Sequence, residues 1–200
     1  MPRIVTTYRE EAKKKVLAAA LEVFKEKGYF RSTMDDIAKK LGISKSAIYQ
    51  YFESKDQLLA ALYTSGPENL RSQFSGASKR GLVATTKDVF GRMGTKENAD
   101  LFADFLAEAS RNEDLQKVLR DNIERFTGVV EDLLKDANPK MKPEETEQAH
   151  QVSVMMGLIF NGLASWLAVG VPESEVKEIW GRSVDMLLGP YERNPPTPRD

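Results

Sequence analysis

The sequence predicts an all-α protein: a three-helix head followed by a larger helical domain, about nine helices in all. Three observations predict it. Apolar residues recur at three- and four-residue spacing along most of the chain, and no stretch sustains strand-type alternation. Capping signals open the periodic segments, and Gly or Pro closes them. Near the start, two short periodic segments meet at Gly42, a residue that can take positive φ and turn the chain sharply.

Thr7 with Glu10 reads as a capping box, and Val16, Ala20, Val23 and Phe24 then follow helical spacing as far as Gly28. Thr33 caps the next helix. Asp35 and Asp36 sit in its first turn, and Met34, Ile37, Ala38 and Leu41 form one buried face. After Gly42, Ile43 and Ile48 bracket the cap residue Ser44 as a hydrophobic staple, opening a helix expected over Ser44–Phe52. Ser54 with Gln57 opens a fourth helix. Gly66-Pro67 breaks it, and Gly76, Gly81, Gly91 and Gly94 mark a looser zone. Stripes follow at Leu101–Ala109 and Leu115–Leu133. A helix expected over Glu144–Gly170 turns apolar nearly all round from Val152, and Pro172 starts the last helix. The domain boundaries expected are 1–54 for the head, 55–190 for the helical body, and 191–200 for a disordered tail with three prolines.

Composition excludes several function classes. With no cysteine there is no disulfide framework and no thiolate nucleophile or metal ligand. His150 is the single histidine, which argues against a histidine metal site or a catalytic triad. There is no Gly-rich phosphate loop and no acid pair whose spacing argues catalysis, so neither an enzyme nor a cofactor is expected. No signal-peptide core and no membrane-length apolar run stand out, so the expectation is a soluble cytoplasmic protein without a membrane partner. The net charge of −1 hides an asymmetry. Residues 1–55 hold 12 Lys/Arg against 7 Asp/Glu, and the rest hold 17 against 23, so a +5 head precedes a −6 body. A basic head suits a nucleic-acid surface, although ordinary solvated faces give the same count.

The helix after Gly42 sharpens that suggestion. Residues step by about 100° around a helix. With Ile48 and Phe52 on the buried side, Ser46 and Gln50 point directly away, flanked by Lys45 and Tyr49 on one side and Ala47 and Tyr51 on the other. Gln50 offers the paired donor and acceptor that a base edge needs, and the small Ser46 and Ala47 permit close approach. Lys45 and the tyrosine hydroxyls can reach phosphates, and Lys55 adds a charge at the next helix start. Two helices joined by a short turn with Gly form the helix-turn-helix unit, whose second helix enters the major groove. A small helical core with half-buried tyrosines is the alternative on spacing alone.

The residues Gly28, Thr33, Ile37-Ala38, Leu41-Gly42-Ile43-Ser44, Ile48-Tyr49, Tyr51-Phe52 and Lys55 with Leu58 resemble the DNA-binding domain of the TetR family of one-component regulators, over about the first 60 residues. The resemblance implies an all-α homodimer that binds operator DNA and is released by a small molecule in the C-terminal domain. It further implies phosphate contacts from Thr33, Tyr49, Tyr51 and Lys55. Lys45, Ser46, Ala47 and Gln50 form the groove-facing set, with Ser44 as cap and backbone contact. Ser46 departs from the glycine many members carry; its small side chain implies little change.

The body must then supply dimerisation and the trigger. A helix apolar on several faces must be buried on several faces, and Gly157 and Gly162 permit close helix approach. The residues expected at the dimer interface are Met155, Met156, Leu163, Trp166, Val176, Trp180 and Leu187, a purely intramolecular core being the alternative. Those expected around a ligand are Phe102, Phe105, Phe126, Met155, Phe160, Asn161 and Trp166, with His150 and Glu108 as further polar candidates. The expected effector is small and apolar or amphipathic. The reading is a ligand-responsive repressor acting on a palindromic operator. The alternatives are a ligand-independent architectural DNA-binding protein, favoured by the absence of an internal cavity, and a helical interaction module.

Overall fold

A computed structural model describes residues 3–64, 72, 74 and 81–192. Among these there is no strand. Nine α-helices follow in order among the described residues: α1 Arg3–Lys27, α2 Met34–Leu41, α3 Lys45–Tyr49, α4 Lys55–Thr64, α5 Leu82–Met93, α6 Lys96–Ala109, α7 Glu113–Ala137, α8 Pro143–Ala168 and α9 Glu173–Leu188, then a 3₁₀ turn at Gly189–Tyr191. The all-α expectation holds. The break expected at Gly66-Pro67 and the glycine at 76 lie outside the described residues, as do residues 193–200 of the expected tail.

Packing divides the chain into two compact units, Met1–Ser65 with Asp100–Leu119 and Gly66–Ala99 with Arg120–Asp200. The first unit therefore holds α4, which the sequence reading placed with the body, and parts of α6 and α7. Its core joins Val16, Ala20 and Phe24 of α1 to Ile37, Ile48, Phe52, Leu58 and Leu59, and takes in Phe105, Ala109 and Leu115. The core of the second unit runs through Phe90, Leu134, Met156, Leu167, Val176, Trp180 and Val184.

Local signals explain most boundaries. α1 starts at Arg3, upstream of Thr7, so Thr7 lies inside the helix and does not cap it. Gly28 closes α1 at φ 78°. Thr33 and Asp36 make the full capping box at the start of α2. Gly42 ends that helix at φ 68°, and the Ile43 amide reaches back to the Ala38 carbonyl, a Schellman ending. Ser44 accepts from the Ala47 amide and caps α3. That helix is shorter than expected: regular geometry stops at Tyr49, and Gln50 and Tyr51 continue as i→i+3 turns. Ile43 stays exposed, so the expected staple is not a core contact. Ser54 caps α4, but Gln57 returns its carbonyl to Glu53 rather than to Ser54. Pro143 occupies the first position of α8, where its missing N–H goes unused. By length and composition alone α8 is apolar enough to cross a membrane, a test that the core helices of soluble proteins also pass.

Candidate nucleic-acid interface and apolar cavity

In the first unit, α2 fixes α3 in place. Lys40 pairs with Glu22 and Glu26 at 3.0 and 2.8 Å, tying α2 to α1. Lys27 meets Asp36 at 2.6 Å, and that contact first, then the Thr33 hydroxyl, holds the Asp36 carboxyl at about 2. With Ile48 and Phe52 in the core, α3 leaves Ser44, Lys45, Ser46, Tyr49 and Gln50 exposed and Ala47 half-buried. Of these, Lys45, Ser46, Ala47 and Gln50 are the set expected to face a groove, Tyr49 a phosphate. The Ser44 and Ser46 hydroxyls share a 2.9 Å hydrogen bond, which fixes the start of this surface.

Three expected phosphate contacts have other duties. The Thr33 hydroxyl donates to Asp36 and accepts from the Asp36 amide, so it is a cap first. Tyr51 is half-buried and packs on the core. Lys55 turns back into the head. Its ammonium donates to the carbonyls of Tyr29 at 2.8 Å and Ser32 at 3.1 Å, and sits 4.1 Å from the Tyr29 ring centre. Desolvation there depresses its pKa. A lysine so placed braces the α1–α2 connection. Arg9 was not among the expected residues. It is exposed, and its guanidinium approaches the Gln50 carbonyl at 3.5 Å, at the end of the same surface. Its position 41 residues upstream left no signal beyond charge.

Tyr29 is also the centre of a buried polar group. Its hydroxyl donates to Asp56, Asn112 Nδ2 donates to the other Asp56 oxygen at 3.2 Å, and the Tyr29 amide donates to Asp104 at 2.8 Å. Burial, and after it Asp56, pushes the Tyr29 hydroxyl well above its ordinary range, so it remains a donor. Asn112 also caps α7, accepting from the Asp114 and Leu115 amides.

The second unit contains a cavity of about 150 Å³. α5 contributes Leu82, Thr86, Val89, Phe90 and Met93; α7 contributes Phe126, Val130, Leu133 and Leu134; Met156 and Phe160 come from α8, Trp180 and Leu188 from α9, and Phe74 completes the wall. Among the described residues no charged side chain lines it. Of the expected ligand residues, Phe126 and Phe160 are here. Phe102 and Phe105 are not: both pack against Tyr63 in the first unit, with Phe105 stacked at 3.8 Å. Met155 and Trp166 are exposed, at 46% and 48%, and Asn161 lies off the wall. Neither further polar candidate lines it: His150 Nδ1 meets Glu131 at 2.6 Å on an exposed face, and Glu108 belongs to the first unit.

The expected interface residues divide in the same way. Met156, Leu163, Val176 and Trp180 are 2%, 5%, 0% and 4% exposed and lie in the core of the second unit. Leu187 is half-buried on the same core. Apolar periodicity marks a face as buried without saying by what. The exposed apolar residues of α8 and α9 are Val154, Met155, Leu158, Trp166 and Met186, with Val169 just beyond α8. Gly157 faces the Phe126 ring, where an added Cβ would stand at 3.5 Å, while Gly162 faces open space.

Comparison with known proteins places these features. Residues 16–62 match the profile described as bacterial regulatory proteins, tetR family, and residues 68–189 match that of the BetI-type transcriptional repressor C-terminal domain. The chain is 26% identical over 141 residues to the uncharacterized HTH-type transcriptional regulator YfiR of Bacillus subtilis, covering 65% of this chain and 69% of YfiR. It is 35% identical over 103 residues to the HTH-type transcriptional activator FasR of Mycolicibacterium smegmatis, 52% of this chain and 44% of FasR. Among solved structures, a putative TetR-family regulator from Mesorhizobium loti superimposes with TM-score 0.71 at 19% identity, over 90% of this chain and 96% of that one. The fatty acid degradation regulator FadR of Bacillus halodurans does so with TM-score 0.65 at 16% identity, over 88% and 97%. A helix-turn-helix head with an exposed polar α3, a helical second unit, and a family match across both make this chain a member of the tetR family of bacterial transcriptional regulators.

Proposed function

We propose that the protein is a ligand-responsive repressor: a homodimer that binds a palindromic operator and is released when a small lipophilic effector fills the second unit. The observation that carries the proposal is the cavity of about 150 Å³ whose described lining carries no charged side chain. Packed interiors hold few voids of that size, and a dry one of such volume accepts a small apolar molecule. The ligand-independent reading called for a body without a cavity, so this feature counts against it. In the head, Gln50 and Ser46 serve base edges and Lys45, Tyr49 and Arg9 serve phosphates, as their exposure around the Ile48 anchor supports.

The second copy covers the exposed α8–α9 face. Leu158 and Met186 are 67% and 78% exposed, unusual values for large apolar side chains on two helices that also supply the core. A two-fold operator requires a two-fold protein, with recognition helices about 34–36 Å apart. Effector binding acts through α7, which carries Leu115 in the head core and four residues of the cavity wall. Such a ligand lowers operator affinity only by preferring a state with the wrong head spacing. The test is selection of a binding site from random duplex DNA, followed by titration with apolar small molecules. Operator release by a compound that also raises Tm is the expected result. Tight operator binding unchanged by every stabilising compound would favour the architectural reading.

A further inference from the structure

Tyr29, in the connection between α1 and α2, is held at three atoms. Its hydroxyl donates to Asp56, its amide donates to Asp104 of α6 at 2.8 Å, and its carbonyl accepts from Lys55 at 2.8 Å. Asp56 stands in the first turn of α4, and its second oxygen accepts from Asn112 Nδ2 at 3.2 Å. Asn112 uses its other amide atom at the start of α7, where Oδ1 accepts from the Asp114 and Leu115 amides at 3.1 and 3.3 Å. One side chain thus caps α7 and also holds the carboxylate that holds Tyr29. Tyr29 is 1% exposed, and Asp56 and Asn112 are half-buried, so water only partly screens these contacts. Shortly after Tyr29, Thr33 opens α2, whose turn at Gly42 leads into α3.

We infer that Asn112 and Asp56 are a positioning pair for operator binding: their hydrogen bond ties the start of α7 to the α1–α2 connection and so sets the orientation of α3. The inference rests on the repressor reading and adds to it two residues that lie off the exposed α3 surface. The chemistry gives the pair a direction. Asp56 accepts at both oxygens, while Asn112 commits its oxygen to the cap and has only Nδ2 to offer. Asn112→Asp keeps an acceptor for the cap but sets two carboxylates face to face, and the starts of α4 and α7 then separate. Adding Asp56→Asn restores the pattern. The new amide's oxygen accepts from Tyr29 and its nitrogen donates to the new carboxylate, at unchanged net charge.

The test is the cycle of Asn112→Asp, Asp56→Asn and the exchanged double variant in the full-length protein. Affinity for an operator selected with the wild type is measured by fluorescence anisotropy, at a temperature where circular dichroism shows all four proteins folded. Asn112→Asp is expected to weaken operator about tenfold and the exchange to recover most of that loss, a coupling of the size found within one hydrogen-bond network. A structural role alone lowers Tm and leaves the operator affinity of the folded protein unchanged. That result, or an exchanged variant that binds no better than Asn112→Asp, overturns the positioning role. The ¹⁵N amide resonances of Lys45–Tyr49 give a readout without DNA. They should move in Asn112→Asp and return in the exchanged variant, and unmoved resonances overturn the inference. If Asn112→Asp fails to fold, Asp56→Asn, in which two amide nitrogens face each other, is compared with the exchanged variant by the same two readouts. A wild type that selects no operator, with resonances that move and return, overturns the repressor reading and leaves the link from α7 to α3 standing.

Discussion

Replacing Lys55 with Met separates two roles that its charge alone does not distinguish. Methionine keeps most of the apolar stem and removes the donors. The Tyr29 and Ser32 carbonyls then lose hydrogen bonds of 2.8 and 3.1 Å from a charged group, and the Tyr29 ring loses a cation at 4.1 Å. Charge-assisted hydrogen bonds contribute about 1.5–3 kcal/mol each when well buried. Lys55 is only half-buried, and its own desolvation, visible in its depressed pKa, offsets part of that gain. With the ring contact adding about 0.5–1 kcal/mol, the net expected loss is about 2 kcal/mol. Urea unfolding followed by circular dichroism measures it, and operator affinity at several salt concentrations is measured alongside. The account expects a lower unfolding midpoint and an unchanged salt slope at temperatures where the variant is folded. Unchanged stability with a slope shallower by about 0.9 per phosphate contact, near two for a dimer, would refute it and restore Lys55 as a phosphate ligand.

Gln50→Ala is expected to cost about 1–3 kcal/mol on a selected operator and to relax preference at one position per half-site, read from affinities for single-base operator variants. Lys45→Ala should weaken cognate and scrambled DNA alike and flatten the salt slope, so a change in sequence preference would reverse its assignment. Leu158→Asp with Met186→Asp should yield a folded monomer in sedimentation, since both side chains are exposed on α8 and α9 and neither supports the protomer core; a stable dimer would move the interface elsewhere. Asp36→Asn tests the α2 cap. The folded Asp36 pKa of about 2 lies below its usual 3.8, so its contribution is complete above the usual value and is lost as pH falls from about 4 to about 2. The Tm gap between wild type and variant should close over that window, and a gap constant with pH would contradict the cap.

Short-range chemistry made the head legible. Thr33–Asp36, Gly42 and Ser44–Ala47 are signals spaced within a few residues, and each fixes a helix end in the structure. The end of α3 was less visible, because i→i+3 turns at Gln50 and Tyr51 keep the apolar spacing that regular helix would have. The bracing contacts of Lys55 were not legible because its partners lie 23 and 26 residues upstream, where sequence shows only its charge. In the body, periodicity found the apolar faces but not what covers them. Trp180 and Met156 are buried on the cavity wall, while Leu158 and Met186 of the same two helices are exposed. Phe102 and Phe105 moved to the head because α6 is divided between two units at Asp100, a division that leaves no mark in its apolar stripe.

The central claim is that one small molecule and one operator compete through this chain. The direct measurement is calorimetric titration of the tightest compound found by thermal shift into the protein with and without saturating selected operator. The account predicts that operator weakens the ligand by the same factor by which the ligand weakens operator, about 5- to 150-fold, as a coupling of about 1–3 kcal/mol requires. Identical ligand affinity in the two titrations, with binding confirmed in the second unit's cavity, would contradict it.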